Sequence, residues 1–238
     1  MDNAIYASLT RQSGLMAEIT AIANNIANAN TTGYRAEGVI FSEYVKGLAP
    51  DTPSLSMAAA RVRHTDFTQG GIETTGAPFD LAIEGEGFFL IGTPQGERLT
   101  RAGSFLTNDA GDLVTPQGHP VLDIGGAPIA IPMDAGPVTI GGDGTISVGG
   151  DPLGQIAVVS PRDPLRMSRG DGVSFDPGDG WQPVDSPRLL QGAVESANTN
   201  PVNQIARMIE VQRAYELGQS FLDREDERIR AVITTLKR

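Results

Sequence analysis

Only two histidines, His64 and His119, and no cysteine occur among the 238 residues, so few kinds of chemistry are open to this chain. A three-histidine metal centre is impossible, and neither histidine has a second ligand at helical spacing. The serine-hydrolase elbow G-x-S-x-G is missing; the nearest string, Thr145-Ile146-Ser147-Val148-Gly149, lacks the first glycine that the sharp turn needs. Gly85-Glu86-Gly87 is too short for a dinucleotide fingerprint and runs on into the strand-like GFFLIG. Asp143-Gly144 and the run Asp176 to Gly180 have the look of calcium loops, but the alternating oxygen ligands and closing glutamate are absent, so both read as turns. Glu84 and Glu86 could pair for glycosidic chemistry, yet an acidic chain brings some carboxylates together by chance. The reading is of a non-enzyme, with no catalytic residue, no metal and no cofactor.

The elements that could position such residues are of two kinds. Residues Ile5, Leu9, Gln12, Met16, Ile19, Ala23 and Ile26 alternate steps of four and three, the pattern of a coiled-coil seam. The other end repeats it with Ile205, Met208, Gln212, Tyr215, Gln219, Leu222, Asp226, Ile229, Ile233 and Leu236. Asn200-Pro201 marks where that second helix starts, since a capping side chain precedes a proline at the first helical position. Asp226 and Arg230 are spaced to pair along it. The first helix should stop near Asn28, before the turn formers Asn30, Thr31, Thr32 and Gly33. A lone amphipathic helix is marginal in water, so each end needs a helical partner. Periodicity leaves open whether that partner lies in the same chain or in a neighbouring subunit.

Between the ends, short apolar runs alternate with Gly, Asp and Pro, and 29 glycines with 16 prolines describe many tight turns. Thr107 to Val114, with NDAG between alternating runs, predicts a hairpin. Residues 162–186 are rich enough in Pro, Gly and Asp to predict a long surface loop. The expected fold is therefore α+β, with N- and C-terminal helices paired as a coiled-coil-like layer and an all-β centre of short antiparallel strands. Its expected divisions are an N-terminal helix over 1–30, an extended linker over 31–75, a β-rich domain over 76–195 and a C-terminal helix over 196–238.

Charge follows the same division. The net charge is −11, and residues 29–204 carry all of the surplus, ten basic against twenty-one acidic side chains. An acidic body argues against partners with phosphate backbones or anionic lipid, so neither nucleic acid nor membrane insertion is expected. The N-terminus has no basic n-region and apolar core of a cleaved secretory signal. The absence of cysteine leaves the redox compartment open.

The string ANNIANANTTGYRAEGVIF, residues 23–41, resembles the signature of the bacterial flagellar rod and hook proteins. The likeness continues through DLAIEGEGFFLI, residues 80–91, LTRAGSFLTNDAGDLVTPQGHPVL, residues 99–122, and ESANTNPVNQIARMIEVQRAYE, residues 195–216. The opening MDNAIYASLTRQ is most similar to proximal-rod members of that family. The resemblance implies a structural subunit of the basal-body rod, exported by the flagellar type III apparatus without a cleaved signal and built into the axial structure crossing the periplasm. It implies an inner layer of terminal helices around a channel, a β-rich domain outside it, and torque passed between subunits. Partners would be copies of the chain and other proximal and distal rod subunits. A distal-rod or hook identity is the alternative, and a secreted enzyme acting on peptidoglycan a more remote one.

Carried over by motif, Asn24, Asn25, Ile26, Ala27, Asn28, Thr31, Thr32, Gly33 and Tyr34 match the N-terminal signature. Asn198, Asn200, Pro201, Val202, Met208, Gln212, Arg213 and Tyr215 match the C-terminal one. Asparagine side chains are expected to satisfy backbone groups at the helix end, and Gly33 to take a positive φ. With the seam residues Ile5, Leu9, Met16, Ile19, Ile205, Leu222, Ile229, Ile233 and Leu236, these form the expected assembly surface.

Overall fold

A computed structural model describes residues 2–46, 55–132 and 136–236. They divide into two compact units, one of residues 1–29, 36–67 and 199–238, the other of residues 30–35 and 68–198.

The first unit contains helix α1 (Asp2–Ala27), strands β1 (Glu37–Lys46) and β2 (Leu55–Thr65), and, at the far end of the chain, helix α2 (Pro201–Leu236). β1 and β2 pair antiparallel, with a register shift between Ile40 and Phe41. They lie within the 31–75 stretch read from sequence as extended linker. α2 begins where its cap predicts, the Asn200 side chain accepting from the Val202 N–H at 2.9 Å and the Asn203 N–H at 3.2 Å. Asp226 and Arg230 pair at 2.9 Å, as their spacing predicts.

α1 and α2 run antiparallel. Gln12 Nε2 donates to the Tyr215 carbonyl at 3.0 Å, and Arg207 Nε donates to Glu18 at 2.8 Å. That register carries the last turns of α2 past the start of α1. Leu15, Ile22 and Val211 form the buried centre of the contact, flanked by Ile19, Ile26, Met208, Ala214 and Tyr215. Gly218 keeps the helices close, because a Cβ there would come within 2.7 Å of the Gln12 side chain. The pairing is the expected one, and Gln12, Ile19, Ile26, Met208 and Tyr215 of the expected seams take part in it, but its buried centre is shifted. Leu15 and Ile22 are buried where Met16 and Ala23 were expected, and Val211 where Gln212 was. The contact face of each helix is thus turned partly, not wholly, away from the expected one.

The second unit is built from β3 (Ile72–Thr74), β4 (Leu81–Ile83), β5 (Phe88–Thr93), β6 (Gly96–Thr100), β7 (Leu106–Thr107), β8 (Leu113–Val114), β9 (Val138–Ile140), β10 (Thr145–Val148) and β11 (Asp151–Gln155). β12 (Val158–Pro161), β13 (Ser168–Arg169), β14 (Ser174–Asp176), β15 (Trp181–Pro183), β16 (Leu189–Gln191) and β17 (Ala193–Glu195) complete it. Six strands form one sheet in the order β13-β14-β6-β5-β12-β15, and β11-β10-β9 form a second. β16 pairs with β4, β17 with β3 and β7 with β8, every pair antiparallel. The β7–β8 pair is the hairpin predicted over Thr107 to Val114.

Side chains alternate along β5 between two cores. Phe89 and Ile91 join a cluster with Leu81, Phe105, Leu113 and Ile156, whereas Phe88 and Leu90 join one with Leu99, Val159 and Phe175. Burial on both faces accounts for the unbroken apolar run GFFLIG. The 162–186 stretch is not the continuous loop expected. It supplies β13, β14 and β15, which lie at both edges of the six-stranded sheet, and Phe175 of β14 is 1% exposed. Its Asp and Gly residues make the turns between two- and three-residue strands, too short for periodicity to reveal.

Candidate functional site

In the first unit the end of α1 is built around one asparagine. Asn25, 2% exposed, turns its carboxamide onto the backbone of Glu37: Nδ2 donates to the Glu37 carbonyl and Oδ1 accepts from its N–H, both at 2.8 Å. The side chain therefore stands in for a strand neighbour at the first residue of β1. Nδ2 also lies 3.3 Å from Gln204 Oε1, which ties α2 to the same point. Asn28 closes α1 through its Nδ2, donating to the Asn24 carbonyl at 2.9 Å. The Asn24 side chain itself is exposed. The three neighbouring motif asparagines thus do different work, and Asn25 is the buried clamp.

In the second unit the Thr31-Thr32-Gly33-Tyr34-Arg35 turn is held from all sides. Gly33 has a φ of 67°, the left-handed conformation expected of it. Its N–H donates to the Glu195 carbonyl at 2.7 Å. A Cβ on Gly33 would stand 2.2 Å from the Ala102 nitrogen, so backbone packing excludes every other residue as firmly as φ does. Tyr34, 2% exposed, receives the Arg169 guanidinium over its ring at 4.8 Å, and the same guanidinium lies over the Phe175 ring at 4.9 Å. Asn198 donates through its N–H to the Tyr34 carbonyl and through Nδ2 to the Thr68 carbonyl.

Beneath this turn lies a buried ionic triad that motif reading had not singled out. Glu195 is fully buried and pairs with Arg35 and, at 3.2 Å, with Arg101; it also accepts from the Gly70 N–H at 2.8 Å. Arg35 Nη1 donates to the Thr68 carbonyl, and Arg101 to the carbonyls of Ile83 and Gly85. Burial pushes the Arg101 guanidinium down to about 10, against the opposing pull of Glu195. Arg35 and Glu195 do stand inside the signature strings, but 160 residues separate them and nothing in the text links the two. Their chemistry is cohesive, joining the motif turn to β17 and the β6 end.

Of the expected seam residues, Ile19, Ile26, Met208, Tyr215, Leu222 and Ile229 are half-buried. Leu9, Met16, Ile205, Ile233 and Leu236 are exposed at 50%, 55%, 51%, 47% and 81%, and Gln212 is exposed too. Ile5 lies outside the residues whose side chains are described.

The same residues organise the likeness to known proteins. Residues 5–35 match a family model for the flagella basal body rod protein, residues 82–148 one for the flagellar hook protein FlgE/F/G D1 domain, and residues 190–235 one for the flagellar basal body rod FlgEFG protein C-terminal region. A flagellar basal-body rod protein FlgF of Caulobacter vibrioides is 40% identical over 245 residues, covering 99% of this chain and 98% of the relative. The chain belongs to the flagellar basal-body rod protein family. The FlgF protein of Mesorhizobium japonicum is 36% identical, with 91% of this chain and 90% of the relative covered. A rod protein named FlgG, from Bacillus subtilis, is 29% identical with both chains fully covered. As a rod-family subunit of the flagellar basal body the protein has a structural role and is not an enzyme. The clamp at Asn25 and the Gly33 turn both fall within the matched 5–35 segment, and Glu195 within the matched 190–235 segment.

Proposed function

We propose that this rod-family subunit occupies the proximal rod, reaching it through the flagellar type III export apparatus and crossing the periplasm as part of the axial structure. The observation that carries this reading is the unused apolar stripe on the paired helices. Leu9 and Met16 on α1, and Val202, Ile205 and Ile209 on α2, are between 45% and 72% exposed although α1 and α2 are already packed together. Exposed apolar rows cost solubility in a monomer and gain their hydrophobic free energy only when neighbouring subunits cover them. Copies of this chain and other rod subunits are the partners, with the terminal helices lining the channel. Knobs seated in holes resist sliding, since each must leave its hole before shear proceeds, and torque is passed along in this way.

Deleting the gene should abolish swimming and stop the distal rod and hook from forming, and normal filaments in the deletion strain would refute the reading. A distal-rod or hook-type position is the second reading. Mass spectrometry of basal bodies with subunit counts separates the two.

A further inference from the structure

The segment between Val148 and Leu190 falls outside all three matched family regions; it carries one feature that the helical assembly does not use and lends one wall, Gly170 to Ser174, to another. The latter is a cleft of about 530 Å³ at the closed end of the β13–β14 hairpin. Among its lining, Thr32, Gln95, Ser104, Gln117, His119 and Asp171 have no side-chain hydrogen bond or ion pair among the described residues. Ile91, Ala102 and Val173 add apolar wall. No aromatic ring of Phe, Tyr or Trp lines the cleft, so it has no platform for a sugar. Its only arginine, Arg98, is committed to Asp176, which leaves little to hold a phosphate. Neutral hydroxyls and carboxamides beside apolar surface suit polypeptide.

The other feature is Leu165, 95% exposed. A lone exposed leucine is ordinary. This one stands on a 3₁₀ turn, Pro164–Arg166, fixed by two contacts: Asp163 accepts from the Leu165 N–H at 2.9 Å, and Arg166 bridges to Asp179 at 2.9 Å. Gly178, with a φ of 63°, packs so close that a Cβ would meet the Arg166 carbonyl at 2.6 Å. The turn precedes β13 and so lies at the open end of the hairpin whose closed end borders the cleft. Leu165 is not among the residues that line the cleft of its own chain. Near Leu165, Arg162 is exposed without a carboxylate partner among the described residues, and at the cleft Asp171 is exposed without a cation.

We propose that Leu165 of one copy docks in the Thr32–Gln117–Asp171 cleft of the next, a head-to-tail contact with Arg162 facing Asp171. Such a contact is heterologous and repeats along an axis rather than closing a dimer. It rests on the rod reading, to which it adds a second interface away from the helices.

The chain contains no cysteine, so introduced thiols are its only ones. Leu165→Cys and Gln117→Cys are co-expressed in cells lacking the natural gene and oxidised, and basal bodies are isolated. A thiol pair held within disulfide reach should yield about tenfold more covalent dimer than Leu165→Cys with Asp151→Cys. Dimer at the control level, or equal dimer from Leu165→Cys alone, overturns the docking while mass spectrometry still finds both variants in the basal bodies. Absence of the natural chain itself from basal bodies overturns the rod reading instead.

Discussion

A methyl group at Gly33 has nowhere to go, since it would overlap the Arg101–Ala102 peptide in a backbone conformation that already disfavours a side chain. Gly33→Ala should therefore cost on the order of 3 kcal/mol or more, read as a lowered midpoint in chemical denaturation. The two adjacent asparagines should separate cleanly. Asn25→Ala strands the Glu37 N–H and carbonyl in a buried site and should cost about 2–4 kcal/mol, whereas the exposed Asn24→Ala should stay within about 0.5 kcal/mol. Equal effects would show that the clamp is not what Asn25 supplies. Glu195→Gln leaves the Arg35 and Arg101 charges buried without their counter-ion and should cost about 3–5 kcal/mol. The motif asparagines and Gly33 were legible because their side-chain chemistry is local. The ionic triad was not, because its members meet only after the sheet strands have been brought together.

Among the elements, those with end signals were legible. Asn200-Pro201 starts α2, and α1 stops at Ala27 beside the expected Asn28. The seam was legible in period and partly in phase: Ile19, Ile26, Met208 and Tyr215 pack in the contact, while its buried centre falls on Leu15, Ile22 and Val211, which repeat spacing alone did not pick out. Strands as short as Ser168–Arg169 leave no repeat to read, which is why 162–186 read as loop. The β14 turn offers a pH test of that segment. The Asp176 carboxyl is held below the ordinary aspartate range, first by the Gly178 N–H and then by Arg98. Its folded value being the lower, it adds stability above the unfolded value, and that contribution is lost as pH falls through the folded one. Asp176→Asn should therefore flatten part of the stability loss below about pH 4 in acid titration followed by circular dichroism. An unaltered acid limb would remove this carboxylate from the account.

At the scale of the molecule, charge and apolar surface are sorted along the chain: neutral helical ends carry the exposed stripes, and the acidic surplus sits between them. Covering the stripes with neighbouring subunits is the central claim, and Leu9 and Met16 test it because neither belongs to the α1–α2 core. The measurement is the amount of the Leu9→Asp/Met16→Asp double variant in isolated basal bodies, set beside its unfolding midpoint as a free chain. The double variant should stay within about 1 kcal/mol of the parent in stability, yet be missing from basal bodies and unable to restore swimming. Full incorporation of that variant, with normal motility, would contradict the claim.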